Sequence, residues 1–132
     1  MIVPDTNVWS ELLRRRAQHA SPIAARLAHM IAAGTPVFLI GIIYQEVLQG
    51  LRSLEQRASV AESLVRFPML QPRRSTYEQA ARLVDRCARR GFAIGTIDGL
   101  IAATTIERGF ELLTLDADFE HIASVSPALR LA

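Results

Sequence analysis

The segment Glu111–Phe119, with the sequence ELLTLDADF, decides the fold class of this chain. Its apolar first half is typical of a strand at Glu111–Leu115, and two acids, Asp116 and Asp118, follow that strand. Met1–Asp5 has the same form, because a short apolar segment runs directly into an acid. Both segments therefore predict strands whose carboxyl ends carry acidic side chains.

Helical patterns separate these strands from each other and from a fully apolar strand pattern at Val37–Ile40. Apolar spacing and glycine stops predict helices at Asn7–Arg16, Ser21–Gly34, Ile42–Leu51, Leu54–Arg66, Ser75–Arg90 and Ile97–Arg108. Ser75 and Glu78 would form a capping box for the fifth helix, and Thr96 would cap the sixth. Weaker patterns predict short strands at Phe67–Leu70 and Ala128–Leu131 and a helical turn from Asp118. Strands that alternate with helices indicate an α/β fold, with a parallel sheet and helices on both faces.

The composition limits the classes of protein to which the chain can belong. Its 132 residues, of which 50% are hydrophobic and 21% charged, fit one domain over residues 1–132. A single cysteine excludes an internal disulfide and a Cys-based zinc site. The longest apolar run, Pro36–Tyr44, is too short for a membrane helix, which needs about 20 residues. Since no signal-peptide pattern is visible either, we expect a cytoplasmic protein without a membrane segment.

Four acids are expected to meet at one edge of the sheet, because parallel α/β sheets bind ligands at the carboxyl ends of their strands. Asp5 closes the first strand, and Asp116 follows a later one. Glu46 lies one helical turn beyond the second strand, and Asp98 lies in the first turn of a helix. Taken singly, Asp5, Asp98 and Asp116 also suit helix caps or turns. Glu46 lies among apolar residues, where an unpaired carboxylate would be costly.

Four carboxylates at one edge point to a bound cation. Two carboxylates about 4 Å apart repel by about 4 kcal/mol at an effective dielectric near 20. Oxygen-only ligands select Mg²⁺ or Mn²⁺, and such ions activate water for attack on a phosphodiester. Without these acids, 15 arginines face nine acids, a net charge of +6, and the chain has no lysine. A basic body around an acidic site favours a nuclease.

Four short motifs in this order resemble the PIN-domain family, and more narrowly the VapC-type toxins of bacterial toxin–antitoxin pairs. The motifs are Asp5-Thr6-Asn7, Gln45-Glu46 with Gly50, Thr96-x-Asp98 followed by Leu100-Ile101-Ala102-Ala103, and Leu112-Leu113-Thr114-x-Asp116-x-Asp118-Phe119. Each motif is weak alone, but together they cover Val3–Phe119. The first strand departs from the family pattern, because Pro4 interrupts an otherwise apolar run.

The resemblance implies a three-layer α/β/α sandwich with a central parallel sheet and a Mg²⁺-dependent (or Mn²⁺-dependent) endoribonuclease. Carried over by motif position, the catalytic, metal-binding acids would be Asp5, Glu46, Asp98 and Asp116. Asp118 matches a family acid that supports the site. Which of Asp116 and Asp118 is the fourth ligand stays open, although Asp116 is favoured because it follows the strand directly. Thr6 or Thr114 would orient a metal-bound water, and Asn7 would brace the Asp5 loop.

The resemblance also implies partners: an RNA substrate, a VapB-like antitoxin that inhibits the protein, and a second copy of the chain in a homodimer. A positive mean hydropathy independently favours apolar surface that is covered by a dimer or a partner. Arg14, Arg15 and Arg16 follow the helix after Asp5 and suit either RNA contacts or a solvated face.

Other interpretations fit the residues less well. Receiver domains and haloacid-dehalogenase-like phosphatases share the parallel sheet but need a lysine, which this chain lacks. The stronger rival is a catalytically idle PIN-like module that binds RNA or protein, against which the complete acid set argues. Cys87 and Trp9 suit core positions. The three histidines, which share no ligand spacing, suit surface or capping roles; they are His19, His29 and His121.

Overall fold

The computed structural model describes residues 1–14 and 21–132, and its strands and helices alternate along the chain. The elements are β1 (Ile2–Pro4), α1 (Thr6–Leu13), α2 (Pro22–Ala32), β2 (Leu39–Ile40), α3 (Gly41–Gln49), α4 (Leu54–Leu64), β3 (Met69–Leu70), α5 (Arg74–Arg89), α6 (Thr96–Arg108), β4 (Glu111–Leu113), α7 (Asp118–Val125) and β5 (Arg130–Leu131). No helix in the described ranges is both long and apolar enough to span a membrane.

All strand pairs are parallel, which confirms the predicted α/β class. Strand β4 lies between β1 and β5, and β2 pairs with β3. A single bridge between Ile2 and Val37 joins the two sets of strands, so their order is β3-β2-β1-β4-β5. The carboxyl ends of all five strands therefore point the same way, as the placement of the acids requires.

Pro4 explains why the bridge between β1 and the β2 side is so short. Ile2 faces that side, where its carbonyl accepts a hydrogen bond of 3.0 Å from the Phe38 N–H. Alternate residues of a parallel strand face the same neighbour, so Pro4 is next on this side, and it has no N–H to donate. The other side is unaffected, because the Asp5 N–H donates to the Leu113 carbonyl at 2.8 Å. Pro4 thus limits one ladder and leaves Asp5 anchored on β4.

The core fills the space between the sheet and the helices. Trp9 and Phe119 are its largest fully buried side chains, and Trp9 meets Phe67 edge-on with ring centroids 5.0 Å apart. Cys87 is fully buried, so both core predictions, for Trp9 and Cys87, are confirmed. Such close packing fixes the elements that carry the acids.

Gly99 allows α5 and α6 to approach closely. A Cβ at this position would lie 2.5 Å from Cγ2 of Val84, well inside van der Waals contact. Gly99 directly follows Asp98 in the first turn of α6. The absence of a side chain here therefore lets the turn of α6 that carries Asp98 pack closely against α5.

Several predicted boundaries differ from the structure. The capping box of Ser75 and Glu78 is wrong, because α5 already begins at Arg74 and the Thr76 hydroxyl accepts a 2.9 Å hydrogen bond from the Arg73 N–H. Thr96 is the first residue of α6 and not its cap, which is Gly95. The fourth strand ends at Leu113, before the predicted Leu115, since side-chain hydrogen bonds turn the chain from Thr114 onwards. Residues 15 and 16 of the first predicted helix lie outside the described residues.

Candidate metal centre

Three carboxylates lie together at the carboxyl edge of the sheet. Asp98 lies in the first turn of α6, Asp116 follows β4, and Asp118 is the first residue of α7. One carboxylate oxygen of each residue lies within 4.8 Å of the corresponding oxygens of the other two. All three side chains are partly buried. The structure thus brings both candidates for the fourth acid, Asp116 and Asp118, to the same place.

Thr114 connects Asp5 with this cluster. Its hydroxyl donates a hydrogen bond of 2.8 Å to Oδ2 of Asp5 and accepts one of 3.0 Å from the Asp116 N–H. Because Asp5 follows β1 and Thr114 follows the neighbouring β4, the pairing of the two strands brings these side chains together. One threonine therefore fixes the ends of two strands and the acids that they carry.

Thr6 connects Asp5 with Glu46 on the other side. The Thr6 N–H donates a hydrogen bond of 2.8 Å to Oδ1 of Asp5, the N-cap residue of α1. The Thr6 hydroxyl donates one of 2.8 Å to Oε1 of Glu46 on α3. This bond gives the Glu46 carboxylate, which the sequence places among apolar residues, a hydrogen-bond partner. Asn7 is exposed on α1, and the bonds that hold the Asp5 carboxylate come from Thr6 and Thr114.

A turn after β4 completes the chain of contacts. The Asp118 N–H donates a hydrogen bond of 2.9 Å to Oδ1 of Asp116, so Asp116 closes a turn of the kind that aspartate favours. Hydrogen bonds and short backbone steps thereby link Glu46, Thr6, Asp5, Thr114, Asp116 and Asp118 in one continuous network. Among the described residues, no hydrogen-bond donor reaches the carboxylate of Asp98. This carboxylate lies beside the network, since one of its oxygens is within 4.8 Å of an oxygen of Asp116 and one of Asp118.

The electrostatics follow from this arrangement. Burial raises the pKa of Asp5 above its ordinary value, although the hydrogen bonds from Thr114 and Thr6 oppose the rise. Burial, together with the negative charges of Asp116, Asp5, Asp118 and Glu46, raises the pKa of Asp98 to about 6. The protein therefore leaves the negative charge of Asp98 poorly compensated.

The donor set fits a divalent cation. Three carboxylate oxygens are close enough together to share one ion, and all candidate ligands are hard oxygens. A bound cation would also offset the mutual repulsion that raises the pKa of Asp98. The cluster could therefore hold a metal ion, as the acidic sequence pattern predicts.

Exposed apolar residues adjoin the cluster in sequence, and Arg14 is the one arginine of the predicted RNA contact that the structure describes. Ile97 and Leu115, which adjoin Asp98 and Asp116 in sequence, expose 40% and 57% of their surface to solvent. Arg14, the residue after the end of α1, is exposed, and its Nη1 lies 3.4 Å from Oε1 of Glu11 on that helix. The other two arginines of the predicted RNA contact, residues 15 and 16, lie outside the described residues.

Sequence reasoning missed one residue beside the cluster. Nδ1 of His121 lies 3.9 Å from Oδ1 of Asp118. Its ring stacks on that of Phe92, with centroids 4.4 Å apart and an angle of 10° between the planes. The available signal was helical spacing, because His121 comes three residues after Asp118 and therefore shares its face of α7.

A parallel α/β fold with clustered carboxylates at the carboxyl ends of its strands defines a class of proteins that bind metal ions at the sheet edge. The sequence profile of the PIN domain matches residues 2–125. The chain belongs to the PIN domain family.

Curated relatives and solved structures agree with this assignment. Ribonuclease VapC11 of Mycobacterium tuberculosis is 30% identical over 128 residues, which cover 96% of this chain and 94% of the relative. VapBC2 of Rickettsia felis, solved bound to a DNA fragment from its promoter, superposes with a TM-score of 0.79 at 22% identity, over 100% of this chain and 98% of the other. VapC20 of Mycobacterium tuberculosis, a sarcin–ricin loop cleaving toxin, gives a TM-score of 0.66 at 22% identity and coverages of 91% and 93%. The last two likenesses establish the fold.

Proposed function

We propose that this chain is a metal-dependent endoribonuclease and the toxin of a bacterial VapBC-type toxin–antitoxin pair. The observation that carries the proposal is the cluster of Asp98, Asp116 and Asp118 at the carboxyl edge of a PIN fold. The ribonuclease name of a relative that matches nearly the whole chain supports the choice of RNA as the substrate. In this proposal, residues 1–132 act as one nuclease domain.

The proposed catalytic and metal-binding acids are Asp5, Glu46, Asp98 and Asp116, with Asp118 as a further ligand. The close approach of Asp118 to Asp98 and Asp116 supports its inclusion. Mg²⁺, or Mn²⁺ in its place, would supply an activated water and stabilise the charge that develops on the phosphate. The protein's own part is to keep five carboxylates ionised, oriented and close together.

The threonines have a different proposed role from the one that the sequence favours. The hydroxyl protons of Thr6 and Thr114 are donated to Glu46 and Asp5. Each hydroxyl has one proton, so neither can donate a second hydrogen bond to a water at the same time. We therefore assign both threonines to orienting carboxylates, which also favours the ionised form of the acid that accepts the bond.

The arginines suit the handling of RNA. Apart from Asp5, Glu46, Asp98 and Asp116, the chain has 15 arginines against nine acids, a net charge of +6. Arginine can donate two parallel hydrogen bonds to one phosphate, which suits it to hold the backbone while the acids act on it. Contacts of RNA with Arg14, Arg15 and Arg16 remain part of the proposal.

The catalytic proposal is favoured over an idle binding module. An idle module has no use for a carboxyl such as Asp98, whose pKa burial and four neighbouring carboxylates raise to about 6. Nor would it need Thr6 and Thr114 to hold two of these carboxylates in place. Costly arrangements of charge persist where they serve a reaction or a bound ion.

We also propose that the chain forms a homodimer, binds a VapB-like antitoxin and acts in the cytoplasm. The toxin–antitoxin composition of the VapBC2 structure supports the antitoxin. Leu54 and Val65, at the two ends of α4, are 80% and 81% exposed, and a partner that covered them would remove apolar surface from water. Light scattering of the purified chain should give about twice its mass of 14.6 kDa. A mass of one chain would contradict the dimer.

The proposal is tested by incubating the purified chain, free of antitoxin, with total cellular RNA and Mg²⁺, beside a sample that contains EDTA. Sequencing of the fragment ends should show discrete internal cuts with Mg²⁺ and none with EDTA. Hydrolysis by a water leaves no cyclic phosphate, whereas attack by the 2′-hydroxyl of the RNA does. Intact RNA in both samples, or cuts that EDTA does not prevent, would overturn the metal-dependent ribonuclease.

A further inference from the structure

We infer that His121 is a platform on which a nucleobase of single-stranded RNA stacks beside the carboxylate cluster. The inference rests on the proposed function, because it adds a base-binding residue to the same site. Such a residue would help to determine at which position an RNA is cut.

The position of His121 at the site comes from α7. Asp118 is the first residue of this helix, and His121 lies on the same face, one turn later. The distance of 3.9 Å between Nδ1 of His121 and Oδ1 of Asp118 is too long for a hydrogen bond. The imidazole ring therefore lies beside the cluster and forms no hydrogen bond with Asp118.

Phe92 holds the ring in place. The two rings are nearly parallel, and Phe92 itself packs against the hydrophobic core. The His121 side chain nevertheless remains 48% exposed. Phe92 covers one face of the imidazole, which leaves the opposite face as the one on which a base would stack. The result is a half-exposed, flat imidazole ring that packs on Phe92.

The neighbouring charges point to RNA as the occupant. Arg90 lies two residues before Phe92, and Arg86 lies one helical turn before Arg90; both side chains are exposed. Within the described ranges, neither arginine forms an ion pair. The loop after Arg90 leads directly to α6 and Asp98, so these cations lie at the end of α5 from which the chain enters the site. A flat ring whose support, Phe92, follows an exposed arginine by two residues suits a nucleotide, whose base stacks while its phosphate binds cations.

Single-stranded RNA fits this surface better than a duplex. The bases of a duplex are stacked on one another inside the helix, and a ring at the protein surface cannot reach their faces. An unpaired base can leave the stack and lie on the imidazole. Stacking does not require a charge, so the platform works with neutral imidazole.

The inference is tested by RNA binding in an Asp98→Asn background, in which cleavage should be at least about a hundredfold slower. The probes are a short, fluorescently labelled single-stranded RNA of mixed sequence and an oligomer of equal length that lacks bases. His121→Ala should weaken binding of the RNA about tenfold, as expected for the loss of one stacked base. His121→Phe should restore most of the affinity, and His29→Ala, an exposed histidine on α2, should change nothing. The base-free oligomer should bind the parent and the His121→Ala protein equally.

Several results would overturn the platform. These are equal RNA affinity of the parent and His121→Ala, equal weakening of both probes, no rescue by phenylalanine, or no binding of the RNA at all. Cleavage in the protein with Asp98 intact separates this inference from the proposed function. Normal cutting with binding that does not depend on His121 refutes the platform alone. Binding that depends on His121 without any cutting refutes the ribonuclease alone.

Discussion

The hydroxyl of Thr114 donates a hydrogen bond of 2.8 Å to Oδ2 of Asp5, which is 109 residues away in the sequence. The same hydroxyl accepts a hydrogen bond from the Asp116 N–H, so one side chain ties together the ends of β1 and β4. This bond is also the strongest influence that keeps the pKa of the buried Asp5 from rising further. The geometry of the acidic site therefore depends on a residue that carries no charge.

Replacing Thr114 by valine should impair the site without unfolding the protein. Valine has nearly the same shape but cannot donate to Asp5 or accept from the Asp116 N–H, so both acids lose a constraint. Loss of a hydrogen bond to a metal ligand typically lowers metal affinity or activity about 10- to 100-fold. Calorimetric Mn²⁺ titration and initial cleavage rates measure the effect. Thr114→Ser, which keeps the hydroxyl, should stay near the parent; an equal loss in both variants would contradict this role.

Replacing Asp98 by asparagine should stabilise the cation-free protein near neutral pH. The pKa of Asp98 is raised to about 6 in the folded chain, against about 3.9 in an unfolded chain. Its contribution to stability is therefore fully present below the unfolded value and is lost as the pH rises through about 6. The melting temperature of Asp98→Asn should exceed that of the parent at neutral pH and equal it in acid. An added divalent cation should raise the melting temperature of the parent and have little effect on the variant. If Asp98→Asn melted below the parent at neutral pH without cation, this would contradict the claim that ionised Asp98 destabilises the cation-free protein.

The affinity of the site for a divalent cation should increase with pH. Binding requires ionised Asp98, and the proton that it holds below a pH of about 6 must leave. The Mn²⁺ affinity of the parent should rise by up to about tenfold for each pH unit below this value and level off above it. The corresponding curve for Asp98→Asn should be weaker and flatter in this range. A parent curve without a step would show that Asp98 does not control cation binding.

Replacing Gly99 by alanine should destabilise the protein and disturb the site. The new methyl group would lie 2.5 Å from Cγ2 of Val84, and overpacking of this kind costs about 1–3 kcal/mol. Denaturant unfolding gives the change in the free energy of unfolding. The double variant Gly99→Ala/Val84→Ala should recover much of the loss, because it removes the side chain that the methyl group meets. Equal destabilisation of the single and double variants would argue against this contact as the cause.

Much of the fold could be predicted from the sequence because its strands end in acids and its helices carry regular apolar spacing. The parallel pairing of the strands and the meeting of Asp98 with Asp116 followed from general rules of α/β sheets, whereas the strand order came only from the structure. Pro4 left the pairing of the first strand open. Only the structure reveals that its missing N–H faces the β2 side, where β1 makes a single bridge through Ile2. The predicted cap at Ser75 failed because α5 begins one residue earlier, at Arg74; its cap is Arg73, whose N–H donates to the Thr76 hydroxyl.

The details of the site depend on distances that a linear sequence does not contain. Thr6 and Thr114 stood out as polar residues near acids, but their partners, Glu46 and Asp5, depend on how β1, α3 and β4 pack. His121 had no ligand spacing and was predicted to lie at the surface or in a cap. Helical spacing places His121 near Asp118, but the stacking of its ring on Phe92, which comes from another part of the chain, is not contained in the local sequence.

The central claim is that a cation held at Asp98 and its neighbours drives RNA cleavage, and the most direct test is the initial cleavage rate of one labelled RNA across a Mg²⁺ titration. Three proteins are compared: the parent, Asp98→Asn, and Asp85→Asn as a matched control, since Asp85 is an exposed acid on α5 that pairs with Arg89. Asp98→Asn should lose at least about a hundredfold in rate at every Mg²⁺ concentration, because it removes a group with a more direct role than a supporting hydrogen bond. Asp85→Asn should stay within about twofold of the parent, as expected for a surface change. Equal rates for the parent and a folded Asp98→Asn protein would contradict the account.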